Sequence, residues 1–369
     1  MKTTIQFDIL ADPKGCYKRN SLYIMTAGLL LVMASLFVGC EKDDFGYGPE
    51  QIMQFGSETA IVRELSFPSG DFTIVGELRS PDVEEKHPVV LMIHGSGEAT
   101  RDGAVPFNPM IEIFLRHGYA VLSWDKPGSG ASKGTFEPEY TITQRAEIIR
   151  DAIEVLSESD FIDVNEVGLW GISQAGWVMP MALDKTPDIS WMVVVSGGGE
   201  DGIEQGAFQV AQMIACEEGT AEDVASVEQY WAIMNKAATY DEYRNAVQIL
   251  LDVPGLYENT GLIMSDEEQW SPWPREIDAF FDPVEVLQRT TIPVLAFFGE
   301  LDKYVDPVQG FHAYESALDK AGNQDYQINM IEGAGHVMVQ VETGCPGEIV
   351  GAEYMTEYLD TLEFWIMER

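Results

Sequence analysis

The sequence predicts an α/β fold in which a mostly parallel central sheet is flanked by helices, with a helical insertion after one strand. Short, continuous apolar runs recur at residues 89–93, 120–124, 191–196 and 293–299. Such runs are typical of strands that are buried on both faces of a parallel sheet. Longer segments between them, such as residues 144–156, carry apolar residues at helical spacing, which indicates helices packed on that sheet.

Composition narrows the function classes. The chain has 369 residues, of which 46% are hydrophobic, so a large core is available. Its formal net charge is −39, and a field of this sign repels phosphate backbones, so we expect no nucleic-acid partner. The five His and four Cys residues show no metal-ligand spacing, and we expect no metal and no cofactor. The oligomeric state is not predicted.

The first forty residues are typical of an export signal. Lys14, Lys18 and Arg19 precede an uncharged apolar run over residues 21–39, which ends at Cys40. This order predicts a bacterial lipoprotein signal over residues 1–39 and a lipid on Cys40. An uncleaved membrane anchor is the alternative, because about 20 apolar residues can span a bilayer. Either reading places the rest of the chain outside the cytoplasm.

A polar tether is predicted next, over residues 40–57. Its start, residues 41–44, reads Glu-Lys-Asp-Asp and resembles an acidic signal that places bacterial lipoproteins on the outer surface; an ordinary polar spacer is the alternative. The folded domain is predicted to begin at residue 58 and to continue to residue 369. Cys216 and Cys345 could form a disulfide in an oxidising compartment, but their spacing does not show whether they do.

The segment at residues 171–176 carries the central motif. It reads Gly-Ile-Ser-Gln-Ala-Gly and stands between a short apolar run and a helix-like segment over residues 177–185. A strand, a sharp turn with small residues on both sides of a serine, and a helix form a nucleophile elbow. Ala175 replaces the second glycine of the usual motif, which the steric rule tolerates. The alternative is an ordinary strand–helix loop that contains Ser173.

Two further loops follow buried strands. Residues 94–97 read His-Gly-Ser-Gly and resemble the oxyanion loop of α/β hydrolases, because small side chains let a backbone N–H approach a substrate carbonyl. The candidate donors are the N–H groups of Ser96 or Gly97, together with that of Gln174. A phosphate site is the alternative, but the chain has neither G-x-G-x-x-G nor a P-loop lysine. Asp125 opens a D-x-x-G-x-G-x-S loop, in which we expect it to be structural.

A general acid–base pair is predicted late in the chain. Asp302 follows the apolar run at residues 293–299, and His336 follows a strand-like run at residues 326–331. Ser173, Asp302 and His336 are therefore expected at the carboxyl ends of strands, where open α/β sheets place their ligand sites. Glu300 and Asp306 are the alternatives for the acid. A second histidine, His312, falls within a predicted helix and is expected on the surface.

From about residue 60 onward these motifs together resemble the α/β-hydrolase family, especially bacterial serine esterases. This subgroup borders on acyl-CoA thioesterase-like and prolyl-oligopeptidase-like hydrolases. The resemblance implies a triad in which Ser173 is the nucleophile, His336 the base and Asp302 the acid that orients it. It also implies a cap over residues 200–288. We expect Trp177, Trp273 and Phe281 to line the substrate pocket, with a place in the cap core as the alternative for the cap aromatics.

The predicted function is therefore that of an exported, lipid-anchored serine hydrolase that cleaves carboxylic esters of small molecules. An acyl-CoA thioesterase-like or aminopeptidase-like activity is the alternative. A surface lipoprotein that binds a ligand on an inactive hydrolase scaffold is a remote one. The acyl and alcohol groups of the substrate are not predicted.

Overall fold

The protein's structure, a computed structural model, describes residues 46–103, 107–137, 140–186, 188–217, 219–234, 239–242, 244–245, 278, 281–349 and 351–369. The predicted leader, the lipidation site Cys40 and the acidic signal at residues 41–44 lie outside the described residues. The described part of the chain contains no helix that is both long and apolar enough to cross a membrane.

A single mixed sheet organises the described residues. Its strands are β1 (Gly46–Tyr47), β2 (Gln51–Phe55), β3 (Glu58–Ser69), β4 (Phe72–Ser80), β5 (His87–Ile93), β6 (Ala120–Trp124), β7 (Ile162–Ile172), β8 (Ile189–Val195), β9 (Val294–Gly299) and β10 (Tyr326–Ile331). The helices are α1 (Asn108–Arg116), α2 (Thr141–Leu156), α3 (Ala175–Lys185), α4 (Gly202–Cys216), α5 (Ala221–Met234), α6 (Val284–Leu287), α7 (Pro307–Ala321) and α8 (Thr356–Met367).

The strand order is β1-β3-β4-β6-β5-β7-β8-β9-β10, and β2 pairs with β3 outside this path. Pairs from β6 to β10 along this order are parallel, whereas β1 to β4 join the sheet antiparallel. The predicted fold class, a mostly parallel sheet flanked by helices, is confirmed. Parallel pairing brings the carboxyl ends of β5, β7, β9 and β10 to one edge of the sheet, where α/β folds place their sites.

Two hydrophobic clusters cover the two faces of the sheet, because successive side chains of a strand point to opposite faces. In β9, Ala296 and Phe298 pack in one cluster, and Leu295 and Phe297 pack in the other. Helices α2, α3 and α7 contribute to the first cluster, and α1 and α8 contribute to the second. Burial on both faces explains why the central strands read as continuous apolar runs.

The predicted tether over residues 40–57 is wrong for residues 46–55. β1 and β2 both pair with β3, and the hairpin from β2 to β3 turns at Gly56, whose φ is +57°. Four of the five residues of β2 are exposed, so this edge strand gains its order from backbone pairing and leaves no apolar pattern in the sequence. The folded domain therefore begins before the predicted boundary at residue 58.

The insertion over residues 200–288 contributes α4, α5 and α6 in its described residues, and no described segment of it is a strand. The helix predicted over residues 241–251 lies largely outside the described residues. Trp273 lies wholly outside them. A disulfide joins Cys216, at the end of α4, to Cys345, which follows His336 in the chain. This bond, left open by the sequence, ties the first insertion helix to the segment that carries the predicted base.

Candidate active site

Ser173 occupies a strained turn between β7 and α3. Its φ is +58°, a left-handed conformation that non-glycine residues rarely adopt. The Ser173 N–H donates to the Val195 carbonyl at 2.8 Å, and the Gly176 N–H donates to the Ser173 carbonyl at 2.8 Å. The neighbouring strand and the first turn of α3 therefore hold the serine in this conformation. This is the geometry that a nucleophile elbow requires.

Close packing explains the small residues around Ser173. A Cβ on Gly171 would lie 2.6 Å from the Ala175 Cβ, and a Cβ on Gly176 would lie 2.5 Å from the Gly197 Cα. Neither position has room for a side chain unless the backbone moves. The Ala175 methyl group is fully buried and fits in the space that Gly171 leaves. The replacement of the second motif glycine by Ala175 is therefore compatible with the turn.

Asp302 and His336 form a buried pair at the ends of β9 and β10. His336 Nδ1 lies 2.8 Å from Asp302 Oδ2. The other carboxylate oxygen, Oδ1, accepts hydrogen bonds from the backbone N–H groups of Tyr304 at 2.7 Å and Val305 at 3.0 Å. Because both oxygens are engaged, the carboxylate is fixed in orientation and leaves Nε2 of His336 as the nitrogen that can exchange a proton.

The ring and backbone of His336 are held from two further sides. The Ser196 hydroxyl donates to the His336 carbonyl at 2.7 Å, and the Tyr304 ring centroid lies 4.9 Å from that of the imidazole. Gln205 of α4 supports Tyr304 in turn, because its side-chain amide donates to the Tyr304 carbonyl at 2.5 Å. The insertion helix thus contacts the loop that carries the predicted acid.

The alternative acids and base have other partners. Glu300 Oε2 accepts from the Gly333 N–H at 3.0 Å. Asp306 caps α7, where its Oδ1 accepts from the N–H groups of Val308 and Gln309. The His312 side chain is 70% exposed on α7. Of the candidate acids, Asp302 is the one that the structure places on His336.

One cavity of about 460 Å³ brings the predicted residues together. Its wall includes Ser173, Gln174, His336, Gly95 and Ser96. Apolar side chains form much of the remaining wall, namely Ala99, Phe107, Ile142, Ile172, Trp177, Val305 and Val337.

Of the three aromatic residues predicted for the pocket, only Trp177 is found in its described wall. Its indole N–H donates to the Glu200 carbonyl at 2.8 Å, which fixes the ring beside the cavity. Phe281 is not found in the described wall of this cavity, and its partly buried side chain packs against the hydrophobic cluster that contains Phe298. Trp273 lies outside the described residues.

The loop at residues 94–97 faces the serine. A Cβ on Gly95 would lie 3.1 Å from Ser173 Cβ and 3.6 Å from Ser173 Oγ, so the loop approaches the nucleophile closely. Ser96 lines the cavity. Gly97, with φ of +71°, does not line it, and a Cβ there would meet nothing within 4 Å. Of the two alternative donors, the geometry favours the N–H of Ser96.

His94 has the contacts of a structural residue. Its Nε2 lies 2.8 Å from the Trp124 carbonyl, and its ring stacks on Phe107. Burial lowers the pKa of His94 to about 3, so the imidazole is neutral. Asp125 also has structural contacts, because its Oδ2 accepts from Arg101 Nη2 at 2.9 Å and from the Ala131 N–H at 2.7 Å.

The sequence analysis missed two buried cations, Arg145 and Lys126. Arg145 donates to the side chain of Gln174 at 2.5 Å and to the His94 carbonyl. Lys126 donates to the carbonyls of Gly95 and Gly97. One signal was available: Arg145 lies next to Ala146 on the apolar face of α2, where a charged residue has no ordinary place.

Metal ligands do not converge in the described residues, where no group of three or more His, Cys, Asp or Glu side chains could hold an ion. The arrangement that is present offers a hydroxyl, an imidazole–carboxylate pair and backbone donors around one cavity. These groups can perform acyl transfer through a serine.

Comparison with known proteins agrees with this chemistry. Residues 73–333 match the family model described as X-Pro dipeptidyl-peptidase (S15 family). Thiohydrolase aneE of Aspergillus aculeatus is 31% identical over 93 residues, which cover 25% of this chain and 28% of that protein. Dipeptidyl peptidase 8 of Mus musculus is 30% identical over 162 residues, which cover 41% of this chain and 17% of that protein. The matches thus span less than a third of either relative.

A solved structure gives the same fold. Acetyl xylan esterase 1 from a Thermoanaerobacterium species superposes with a TM-score of 0.51 at 16% identity, covering 87% of each chain. Identity this low supports the shared fold alone. The family match extends over most of the chain and contains both the elbow and Asp302. The chain therefore belongs to the X-Pro dipeptidyl-peptidase (S15) family, whose fold is that of the α/β hydrolases.

Proposed function

We propose that this protein is a serine hydrolase that cleaves carboxylic esters of small molecules through an acyl-enzyme on Ser173. One observation carries the proposal. A serine in a left-handed turn lines the same cavity as a histidine that is held at 2.8 Å by a buried carboxylate. This is the set of groups that activates a hydroxyl for attack on an acyl carbon.

The reaction follows from the positions of these groups. Ser173 Oγ attacks the ester carbon while His336 Nε2 accepts the hydroxyl proton, and Asp302 stabilises the imidazolium through Nδ1–H. The N–H groups of Gln174 and Ser96 bind the oxyanion. Collapse of the tetrahedral intermediate breaks the ester C–O bond, and the alkoxide takes the proton from His336. Water then attacks the acyl-enzyme by the reverse sequence and releases the acid.

Negative charge beside the cavity argues for uncharged esters over acyl-CoA. Glu200 and Glu204 flank Gly202 of the cavity wall. Burial and the repulsion of neighbouring carboxylates raise the pKa of Glu200 to about 7, and burial with Asp201 and Asp282 raises that of Glu204. Carboxylates that already repel one another repel an anionic substrate as well. We therefore rank thioester cleavage below ester cleavage.

A serine peptidase is the second candidate function, and the family match favours it. The same triad can cleave an amide, because His336 can deliver its proton to a leaving amine. The matched part of dipeptidyl peptidase 8 is only 17% of that protein, so its activity is not transferred by the match.

We also propose that the protein is exported and anchored through a lipid on Cys40. The order of Lys18, Arg19, an apolar run and Cys40 supports this proposal. The disulfide between Cys216 and Cys345 adds support, because disulfides persist in oxidising compartments outside the cytoplasm.

Replacement of the nucleophile tests the proposed function. We expect wild-type protein to hydrolyse p-nitrophenyl acetate with a higher kcat/KM than alanyl-proline p-nitroanilide, and Ser173→Ala to lose turnover by about 10⁴-fold or more. A fluorophosphonate probe should label wild type and leave Ser173→Ala unlabelled.

Labelling or hydrolysis by Ser173→Ala at the wild-type level would contradict the assignment of the nucleophile. A kcat/KM that is higher for the anilide would establish the peptidase instead. A wild-type protein that neither labels nor turns over would favour the non-catalytic binding lipoprotein.

Replacement of the acid tests its identity. Asp302→Asn should lower kcat by about 10³–10⁴-fold, because an amide does not stabilise the imidazolium and favours the wrong tautomer. Glu300→Gln is the matched control, since Glu300 contacts the same edge of the sheet through Gly333 but does not touch His336. Equal loss in the two variants, measured by ester hydrolysis at pH 8, would show that Asp302 is not the orienting acid.

Replacement of the lipidation site tests the anchor. In a bacterial host, Cys40→Ala should prevent lipid attachment, so the protein should leave the membrane fraction and incorporate no radiolabelled palmitate. Cys216→Ser serves as the control, since it should retain both properties. Membrane retention of Cys40→Ala would favour the uncleaved anchor.

A further inference from the structure

Two buried cations lie behind the loop at residues 94–97. Lys126 Nζ donates to the Gly95 carbonyl at 2.5 Å and to the Gly97 carbonyl at 2.6 Å. Arg145 Nη2 donates to the His94 carbonyl. Together they engage three of the four carbonyl groups of this loop. The contacts come from separate elements, since Lys126 follows β6 and Arg145 belongs to α2.

Because each peptide group is planar, a contact that fixes its carbonyl also fixes the direction of the N–H group of the next residue. The described residues contain no cis peptide bond, and in a planar trans peptide the C=O and N–H point in opposite directions. Binding of the Gly95 carbonyl by Lys126 therefore turns the N–H of Ser96 away from the lysine. Binding of the His94 carbonyl by Arg145 turns the N–H of Gly95 away from the arginine.

The cations and the substrate cavity lie on different sides of the loop. Lys126 and Arg145 line a small separate cavity of about 10 Å³, which shares only His94 with the wall of the main cavity. Gly95 and Ser96 line the main cavity. The N–H groups that point away from the cations therefore have the substrate side available to them.

Arg145 also contacts Gln174, the residue whose backbone N–H is the second proposed oxyanion donor. Its Nη1 lies 2.5 Å from Oε1 of Gln174. One guanidinium thus links the nucleophile elbow to the oxyanion loop. Its two donor nitrogens fit this bridging task, since a guanidinium presents its N–H groups in a rigid planar fork.

These cations have no carboxylate partner among the described residues. Lys126 is 4% exposed and Arg145 is 5% exposed, and neither forms a salt bridge with a described residue. Asp125, the residue before Lys126, is instead engaged by Arg101. The charged guanidinium of Arg145 therefore lacks a counter-ion, which costs stability, whereas a negative charge that develops nearby during a reaction would offset that cost.

Burial lowers the pKa of Lys126 to about 6, with a further contribution from the charge of Arg145, and burial lowers the pKa of Arg145 to about 9. A neutral amine retains two N–H donors, so Lys126 can hold both carbonyls at pH 7. Arg145 remains charged at this pH.

We propose that Lys126 and Arg145 are positioning residues for the oxyanion site, which hold the N–H groups of Ser96 and Gln174 in the orientation that binds a tetrahedral oxyanion. This inference rests on the proposed serine-hydrolase function and adds two residues to it. Neither side chain touches the substrate; both act through the backbone or side chain of a residue that does.

Lys126→Met tests the proposal, because methionine has a similar length and no donor. Since oxyanion donors act mainly in the transition state, kcat for p-nitrophenyl acetate should fall about 10–100-fold while KM stays within about twofold. The inhibition constant of phenylboronic acid, which forms a tetrahedral anion on the serine, should rise by a similar factor. Lys320→Met, a surface lysine on α7, is the matched control and should change neither.

A second variant keeps the test valid where Lys126→Met does not fold, which circular dichroism and thermal unfolding would show. Arg145→Lys retains a positive charge but lacks the fork that reaches Gln174 and His94 together. It should also lower kcat and weaken boronate binding without a matching change in KM.

The outcomes separate this inference from the proposed function. A folded Lys126→Met or Arg145→Lys variant with wild-type kcat and boronate affinity would overturn the positioning role alone. A rise in KM with unchanged kcat would also overturn it, since that result indicates a loss of ground-state binding. Absence of ester hydrolysis in the wild type would instead defeat the proposed function.

Discussion

The left-handed conformation of Ser173 is the constraint on which the rest of the site depends. A non-glycine residue in this region costs about 1–3 kcal/mol, so the surrounding structure must offset that strain. The offset comes from the hydrogen bond to the Val195 carbonyl and from close packing of the turn. The packing is so close at Gly171 and Gly176 that neither position has room for a side chain. Gly95 approaches this turn closely, since a Cβ there would lie 3.6 Å from Ser173 Oγ.

Charge is distributed unevenly around this turn. The buried carboxylate of Asp302 contacts His336, whereas the buried side chains of Lys126 and Arg145 contact carbonyl groups of the loop at residues 94–97. In the proposed acyl transfer, positive charge develops on the imidazole beside the carboxylate, and negative charge develops on the substrate oxygen on the side of Arg145. The carboxylate of Asp302 and the guanidinium of Arg145 are therefore placed where the reaction creates the opposite charge.

The sequence was sufficient to predict most of the fold and the three candidate triad residues. Buried strands appear as apolar runs, and the turn at Ser173 appears as small residues around a serine. Sequence patterns failed where order comes from distant partners. β2 is held by pairing with β3 despite its exposed side chains, and the disulfide of Cys216 joins segments far apart in the chain. Arg145 was overlooked because its acceptors come from two other loops. Phe281 was assigned to the pocket, but its aromatic character suits the core equally well.

The central claim is that an acyl group passes through Ser173, and a rapid-quench experiment tests it most directly. Mixing the protein with excess p-nitrophenyl acetate and quenching in acid before the acyl-enzyme is hydrolysed should give a burst of about one p-nitrophenol per protein. Mass spectrometry of the quenched protein should place an acetyl group, an increase of about 42 Da, on the peptide that contains Ser173. Ester turnover would contradict the account if the acetyl group were found on a residue other than Ser173. It would also contradict the account if the quenched protein carried no acetyl group.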